Sequence, residues 1–153
     1  MARLELMPES ERSYLTRVAC PEFSTRPWAA GPPLAKRRVA LVSTAGLHRR
    51  DDSPFTGISG EYRVIPSSIL DRDLIMSHVS VNFDRIGFQQ DWNLVFPLDR
   101  LNELAREGAV GGVADFHYSF MGAADPAQLE APARDLAALL KQDRVDAVLL
   151  IPV

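Results

Sequence analysis

The run "RVALVST", Arg38 to Thr44, limits the possible folds more than any other stretch of the chain. It is continuously apolar and rich in β-branched residues. A strand with one wet face alternates apolar and polar residues; this one does not, so both of its faces must be covered. Such a strand sits inside a sheet flanked by helices. The chain supplies them. "PLDRLNELAREG" (Pro97 to Gly108) spaces Leu98, Leu101, Leu104 and Ala105 as a helical stripe. It opens on a proline and closes on a glycine suited to a left-handed cap. "DPAQLEAPARDLAALLKQD" (Asp125 to Asp143) predicts a second helix with Leu136, Leu139 and Leu140 facing inward, kinked or restarted at Pro132.

Further strands are expected over "EYRVIPSS" (Glu61 to Ser68, ending at Pro66), "DLIMSHVSV" (Asp73 to Val81) and "RVDAVLLIPV" (Arg144 to Val153). "GGVADFHYSFMG" reads as a loop, with a strand start at Val110 to Ala114. Strands alternating with helices predict an α/β fold, a Rossmann-like or flavodoxin-like domain with a mostly parallel sheet. In such sheets ligands gather beyond the carboxyl ends of the strands. The length of 153 residues suits one such domain over residues 38–153, preceded by an arm over residues 1–37. In the arm, "PESERSYLTRVA" predicts a short helix with Tyr14, Leu15 and Val18 on one side, and "CPEFSTRPWAAGPPLAK" carries four prolines. Phe23 and Trp28 are its expected anchors.

Apolar residues make up 46% of the chain, charged residues 24%, and the net charge is −3. That balance suits a soluble domain and argues against a general nucleic-acid binder. Lys36-Arg37-Arg38 and His48-Arg49-Arg50 read as solvated flanks of apolar runs or as anion sites. A single cysteine, Cys20, excludes an internal disulfide, and it has no activating neighbour in sequence. There is no apolar run long enough for a membrane helix and no apolar signal core near Met1, so a cytoplasmic location is expected.

No zinc spacing, Walker loop, GxGxxG or nucleophile elbow occurs, so no metal site is expected. "STAG" (Ser43 to Gly46) reads as a tight turn or as a backbone anion site. His78 has Asn82, Asp84 and Arg85 close by in sequence, and His117 lies between Asp115 and Ser119. Each histidine suits acid/base work or the orientation of a carboxylate, or is a hydrogen-bonded structural residue. Asp99, at a helix start, complements the helix dipole. The strand "DAVLLIPV" lacks a following loop and helix, which leaves it short of cover unless a partner chain supplies it.

The blocks "VALVSTAGLHRRDDSPF", "YRVIPSS", "HVSVNFDR", "VFPLDRLNELAREGAVGG", "HYSFMG" and "VDAVLLIPV" together resemble the selenoprotein B subunits of the glycine, sarcosine, betaine and D-proline reductases. The resemblance runs from about Arg38 to Val153. It implies that the last strand leads directly into a selenocysteine, at a UGA codon read here as a stop, and that a final helix is missing. It further implies an oxidoreductase in which a selenolate cleaves the C–N bond of an amino acid. The substrate would be activated as a Schiff base on the pyruvoyl group of a partner subunit, and thiols would resolve the selenoether. In this chain no cofactor is bound, and the supporting residues are implied. Ser43, Thr44, Gly46 and Ser119 would contact the substrate. His78, Asp84 and His117 would orient groups or transfer protons. Pro152 and Val153 would position the nucleophile. The alternatives are a thiol/selenol redox protein acting on a disulfide or peroxide, and a non-catalytic α/β partner domain.

Overall fold

The computed structural model describes residues 4–17, 22, 24, 26–80 and 84–153. In chain order the elements are α1 (Glu9–Arg17), β1 (Arg38–Ser43), β2 (Leu47–Arg49), β3 (Tyr62–Pro66), β4 (Leu74–Met76), α2 (Ile86–Gln90), α3 (Leu98–Arg106), β5 (Gly112–Val113), β6 (Phe116–Phe120), α4 (Pro126–Gln142) and β7 (Ala147–Ile151). The main sheet is mostly parallel. β1 lies at its centre, parallel to β5 and β6 on one edge and to β7 on the other, and β3 runs antiparallel to β6. β2 and β4 form a separate antiparallel pair.

β1 is covered on both faces, as its composition requires: every residue from Val39 to Ser43 is buried. Val39 and Leu41 point into a core closed by α3, whose Leu98 and Leu101 are buried there with Phe96 and Val110. Val42 points to the opposite core, against Tyr118, Phe120 and Leu136 of α4. The helix stripe is narrower than expected, for Leu104 is 43% exposed. Gly108, at φ +75°, closes α3, and the Ala109 N–H reaches back to the Leu104 carbonyl at 2.9 Å.

Two expectations change. First, α4 runs unbroken through Pro132. A proline has no N–H, so the Gln128 carbonyl one turn earlier loses its helical donor. Gly60 packs on that carbonyl so closely that a methyl at residue 60 would lie 2.2 Å from it. Second, "FHYSF" is not a loop but β6, the inner neighbour of β1, while the described residues of "DLIMSHVSV" contribute only Leu74–Met76 as strand. β7, an edge strand of the described sheet, is short of cover as its sequence suggested, with Leu149 45% and Leu150 69% exposed. In the arm, α1 forms, yet Tyr14 and Leu15 are exposed and Trp28 is 91% exposed, so Trp28 anchors nothing among the described residues. Val18, Cys20, Phe23 and Asn82 lie outside the described residues.

The β1–β5 pairing places Arg38 beside Gly112, but β1–β6 places Val42 beside Tyr118. Two extra residues, Ala114 and Asp115, therefore interrupt the second strand. Side chains fill the break. The Leu41 N–H donates to His117 Nδ1 at 3.0 Å, and Asp143 accepts the Asp115 and Phe116 N–H groups at 3.0 and 3.4 Å. Arg38 donates to Asp143 at 2.5 Å and to the Val113 carbonyl at 2.9 Å.

Candidate active site

β1, β6 and β7 are parallel, so their carboxyl ends open on the same side of the sheet. Thr44, Gly122 and Val153 follow these three strands and meet there. The last ladder bond runs from the Thr44 N–H to the Ile151 carbonyl at 3.1 Å. One step further, the Val153 N–H donates to Thr44 Oγ1 at 2.8 Å, and that hydroxyl donates to the Val153 carbonyl at 3.2 Å. The Thr44 carbonyl instead accepts the Gly122 N–H at 2.8 Å. A Cβ on Gly122 would stand 2.5 Å from the Val153 oxygen and 2.8 Å from the Thr44 oxygen. Only a glycine lets these segments approach so closely.

Ser43 and Ser119 are register partners and wholly buried. The Ser43 hydroxyl donates to the Val95 carbonyl at 2.8 Å and accepts the Ala45 N–H at 3.2 Å. The Ser119 hydroxyl accepts the Leu47 N–H at 2.8 Å. Gly46, at φ +65°, donates to the Phe120 carbonyl and accepts from the Ser77 N–H, each at 2.9 Å. Thus the N–H groups of residues 44–47 all donate inside the fold. In this conformation they leave no donor for an anion, and "STAG" acts as a braced turn.

That turn brings His78 in. A Cβ on Gly46 would lie 3.1 Å from the His78 backbone. His78 is buried, its Nδ1 accepts the Ser80 N–H at 3.2 Å, and its carbonyl accepts from Arg85. Burial first, and the Arg85 charge second, push its imidazole below the ordinary histidine range. Asp84 is exposed and accepts the Ile86 N–H at 2.9 Å, which fixes the start of α2. Arg85, not Asp84, is the charged residue that the described contacts tie to His78.

His117 lies under the sheet at 0% exposure, edge-on to Phe96 with ring centres 5.8 Å apart. Because Nδ1 accepts from Leu41, the imidazole proton sits on Nε2, which has no hydrogen-bond partner among the described residues. Burial lowers its pKa to about 4, more than the nearby Asp143 raises it. Asp143 is itself held below the ordinary carboxylate range: burial would raise it, but the Arg38 hydrogen bond and the Asp115 N–H outweigh that. Asp99 does more than face a dipole, accepting from Trp92 Nε1 at 2.8 Å and Asn93 Nδ2 at 2.9 Å.

Gly122 and His48 were absent from the expected site. His48 is buried, its Nδ1 bonded to the Arg49 carbonyl and its Nε2 to the Ser77 hydroxyl, each at 2.7 Å. The signal for His48 was its place between Leu47 and Arg49 in a short alternating strand, masked by the basic run. Among the described residues no group of three or more His, Cys, Asp or Glu side chains is placed to hold a metal ion, and no helix is long and apolar enough to cross a membrane.

The chain matches the family model for glycine/sarcosine/betaine reductase selenoprotein B over residues 9–152. It is 35% identical to the D-proline reductase subunit gamma of Acetoanaerobium sticklandii over 116 residues, which is 73% of this chain and 47% of that protein. It is 30% identical to the glycine reductase complex component B subunit gamma of Symbiobacterium thermophilum, over 90% of this chain and 33% of that protein. It is 28% identical to the betaine reductase complex component B subunit beta of Peptoclostridium acidaminophilum, over 92% of this chain and 34% of that protein. The chain thus spans about half the length of the first relative and about a third of the other two. No solved structure matches it, so the Rossmann-like or flavodoxin-like label has no structural neighbour behind it.

Proposed function

The chain belongs to the glycine/sarcosine/betaine reductase selenoprotein B family, and from that membership we propose that it forms the part of an amino-acid reductase subunit leading into the reactive selenium. The reactive residue is a selenocysteine in the position after Val153. The observation that carries this reading is the meeting of Thr44, Gly122 and Val153 at the carboxyl edge of the sheet. Val153 is pinned yet only half-buried, so a residue following it would leave the sheet at the edge where α/β folds collect ligands. The chemistry that group supplies is nucleophilic cleavage of a substrate C–N bond, with thiols as the source of electrons.

The residues of this chain act around that point. His78, whose backbone packs against Gly46 of the braced turn, is the candidate for orienting the substrate. Held below its ordinary range, its imidazole is neutral at pH 7, and with Nδ1 accepting the Ser80 N–H its proton is on Nε2, so it serves as an orienting hydrogen-bond donor rather than as a base. Asp84 orders the start of α2 and so presents Arg85 to the His78 carbonyl. Ser43, Ser119 and His117 support the site from beneath, and Gly46 lets the turn lie against His78. A partner subunit carrying a pyruvoyl group, a thiol reductant and a cytoplasmic location belong to the same proposal. The relatives' names place them in reductase complexes for glycine, sarcosine and betaine, and in D-proline reductase.

The test is to produce the protein from its natural gene in selenium-supplied native cells and obtain its mass spectrum. The complex is then assayed with glycine, sarcosine, betaine and D-proline in the presence of a dithiol. Selenium in the residue after Val153, and dithiol-dependent turnover of one of these substrates, are expected. A different residue there, or turnover of a peroxide or disulfide but of none of the four, overturns the reading.

A further inference from the structure

In a regular parallel ladder the Val153 N–H would donate to the Thr44 carbonyl, two residues after Ile151 accepts from the Thr44 N–H. The structure does not continue that way. The Thr44 carbonyl turns to Gly122 at 2.8 Å, and the Thr44 hydroxyl replaces it on the other side, taking the Val153 N–H at 2.8 Å and donating to the Val153 carbonyl at 3.2 Å. One residue therefore ties together chain segments that leave β6 and β7 on opposite edges of β1. Gly122 closes the arrangement, because any side chain there would displace the Val153 oxygen. Pro152 has no N–H to contribute, so the direction of the chain after β7 rests on the two bonds to Thr44 Oγ1.

We propose that Thr44 is a positioning residue whose hydroxyl fixes the Val153 backbone and thereby aims the side chain of the next residue. This rests on the reading that the next residue is the reactive one. Thr44 then works by geometry and not by touching substrate. A small misplacement of a nucleophile costs up to about 100-fold in rate while binding is largely kept.

The experiment uses the full-length selenium-containing protein in its complex, with Thr44→Val and Thr44→Ser. Valine keeps the shape and removes the hydroxyl; serine keeps the hydroxyl. Selenium content is first read by mass spectrometry. For Thr44→Val, kcat should fall about 10- to 100-fold with KM changed less than about threefold, and Thr44→Ser should recover most of it. Exchange of the Val153 amide hydrogen should quicken in Thr44→Val and stay slow in Thr44→Ser. Full kcat in Thr44→Val, with selenium present, overturns the positioning role alone. Equal loss in both variants with a fall in melting temperature also overturns it, since that marks a packing role. A wild-type protein with no selenium after Val153 overturns the underlying reading and this inference with it.

Discussion

Acidification from pH 7 to pH 5 should cost the fold about 2 kcal/mol through His117 alone. The unfolded imidazole titrates at 6.5, whereas burial holds the folded one at about 4. Between those values the unfolded chain binds the extra proton and the folded chain refuses it, so stability is fully present above 6.5 and drains away as pH falls toward 4. At pH 5 the unfolded imidazole is nearly all charged and the folded one about a tenth charged, a ratio of about thirty in favour of unfolding, or about 2 kcal/mol. Below pH 4 the loss levels off at about 3 kcal/mol. The structural reason is that a charged His117 would carry protons on both nitrogens. Nδ1 would then face the Leu41 N–H that it now accepts, and Nε2 has no hydrogen-bond acceptor among the described residues. The assay is urea unfolding of the wild type and of His117→Leu at pH 7 and pH 5. Leucine leaves the Leu41 N–H without its acceptor, which should cost about 1–3 kcal/mol at pH 7. It should also flatten the pH dependence, so that the variant loses about 2 kcal/mol less than the wild type between the two pH values. Equal losses would refute the account, because the other titrating groups are common to both proteins.

Gly122→Ala should lower stability by about 1–3 kcal/mol, since the added methyl must push against backbone oxygens at 2.5 and 2.8 Å, and amide exchange at Val153 should quicken; an unchanged melting curve contradicts the close approach. Asp143→Ala should cost about 1.5–3 kcal/mol at pH 7 by releasing Arg38 and the Asp115 N–H. Because the Asp143 carboxylate is lowered in the folded state, that cost is present above the unfolded carboxylate value and should shrink as the pH falls through the folded one, as acid unfolding curves of the two proteins will show. Ser119→Ala should cost about 1–3 kcal/mol by leaving the buried Leu47 N–H without an acceptor, measured by thermal unfolding.

β1 was legible because its composition admits one environment, and α3 because proline, stripe and glycine agree on its bounds. β6 was not. "FHYSF" alternates aromatic and polar residues, which suits a half-wet strand, yet His117 and Ser119 are wholly buried. They are tolerated inside because each answers a buried backbone N–H: His117 takes that of Leu41, left over by the two-residue interruption, and Ser119 takes that of Leu47, just after the braced turn; neither donor is there to be answered until strands 74 or more positions apart have paired. Pro132 misled for a similar reason: the carbonyl it leaves without a helical donor, that of Gln128, packs against Gly60, a residue outside the helix. In the candidate site, the sequence pointed to loops that the structure brings together but not to the bonds that their residues make there. Ser43, Gly46 and Ser119 brace the turn, and Gly122 drew no notice because its requirement arises only where three chain segments converge.

The pairing of β1 also sets an order of events. Its neighbours β5, β6 and β7 all lie far downstream, Val39 finding its β7 partner only at Ala147. A strand that is apolar on both faces must therefore wait, with one edge open, until Ala147 and its neighbours have been made, and pairings of such separation are slow to form. Ribosomes release a chain from its first residue onward, so β1, α3 and β6 can assemble while residues 147–153 are still being made. Closure of the sheet and fixing of the Thr44 hydroxyl on Val153 are then one late step. Pulse proteolysis during synthesis would register it as a gain in resistance that coincides with the emergence of β7.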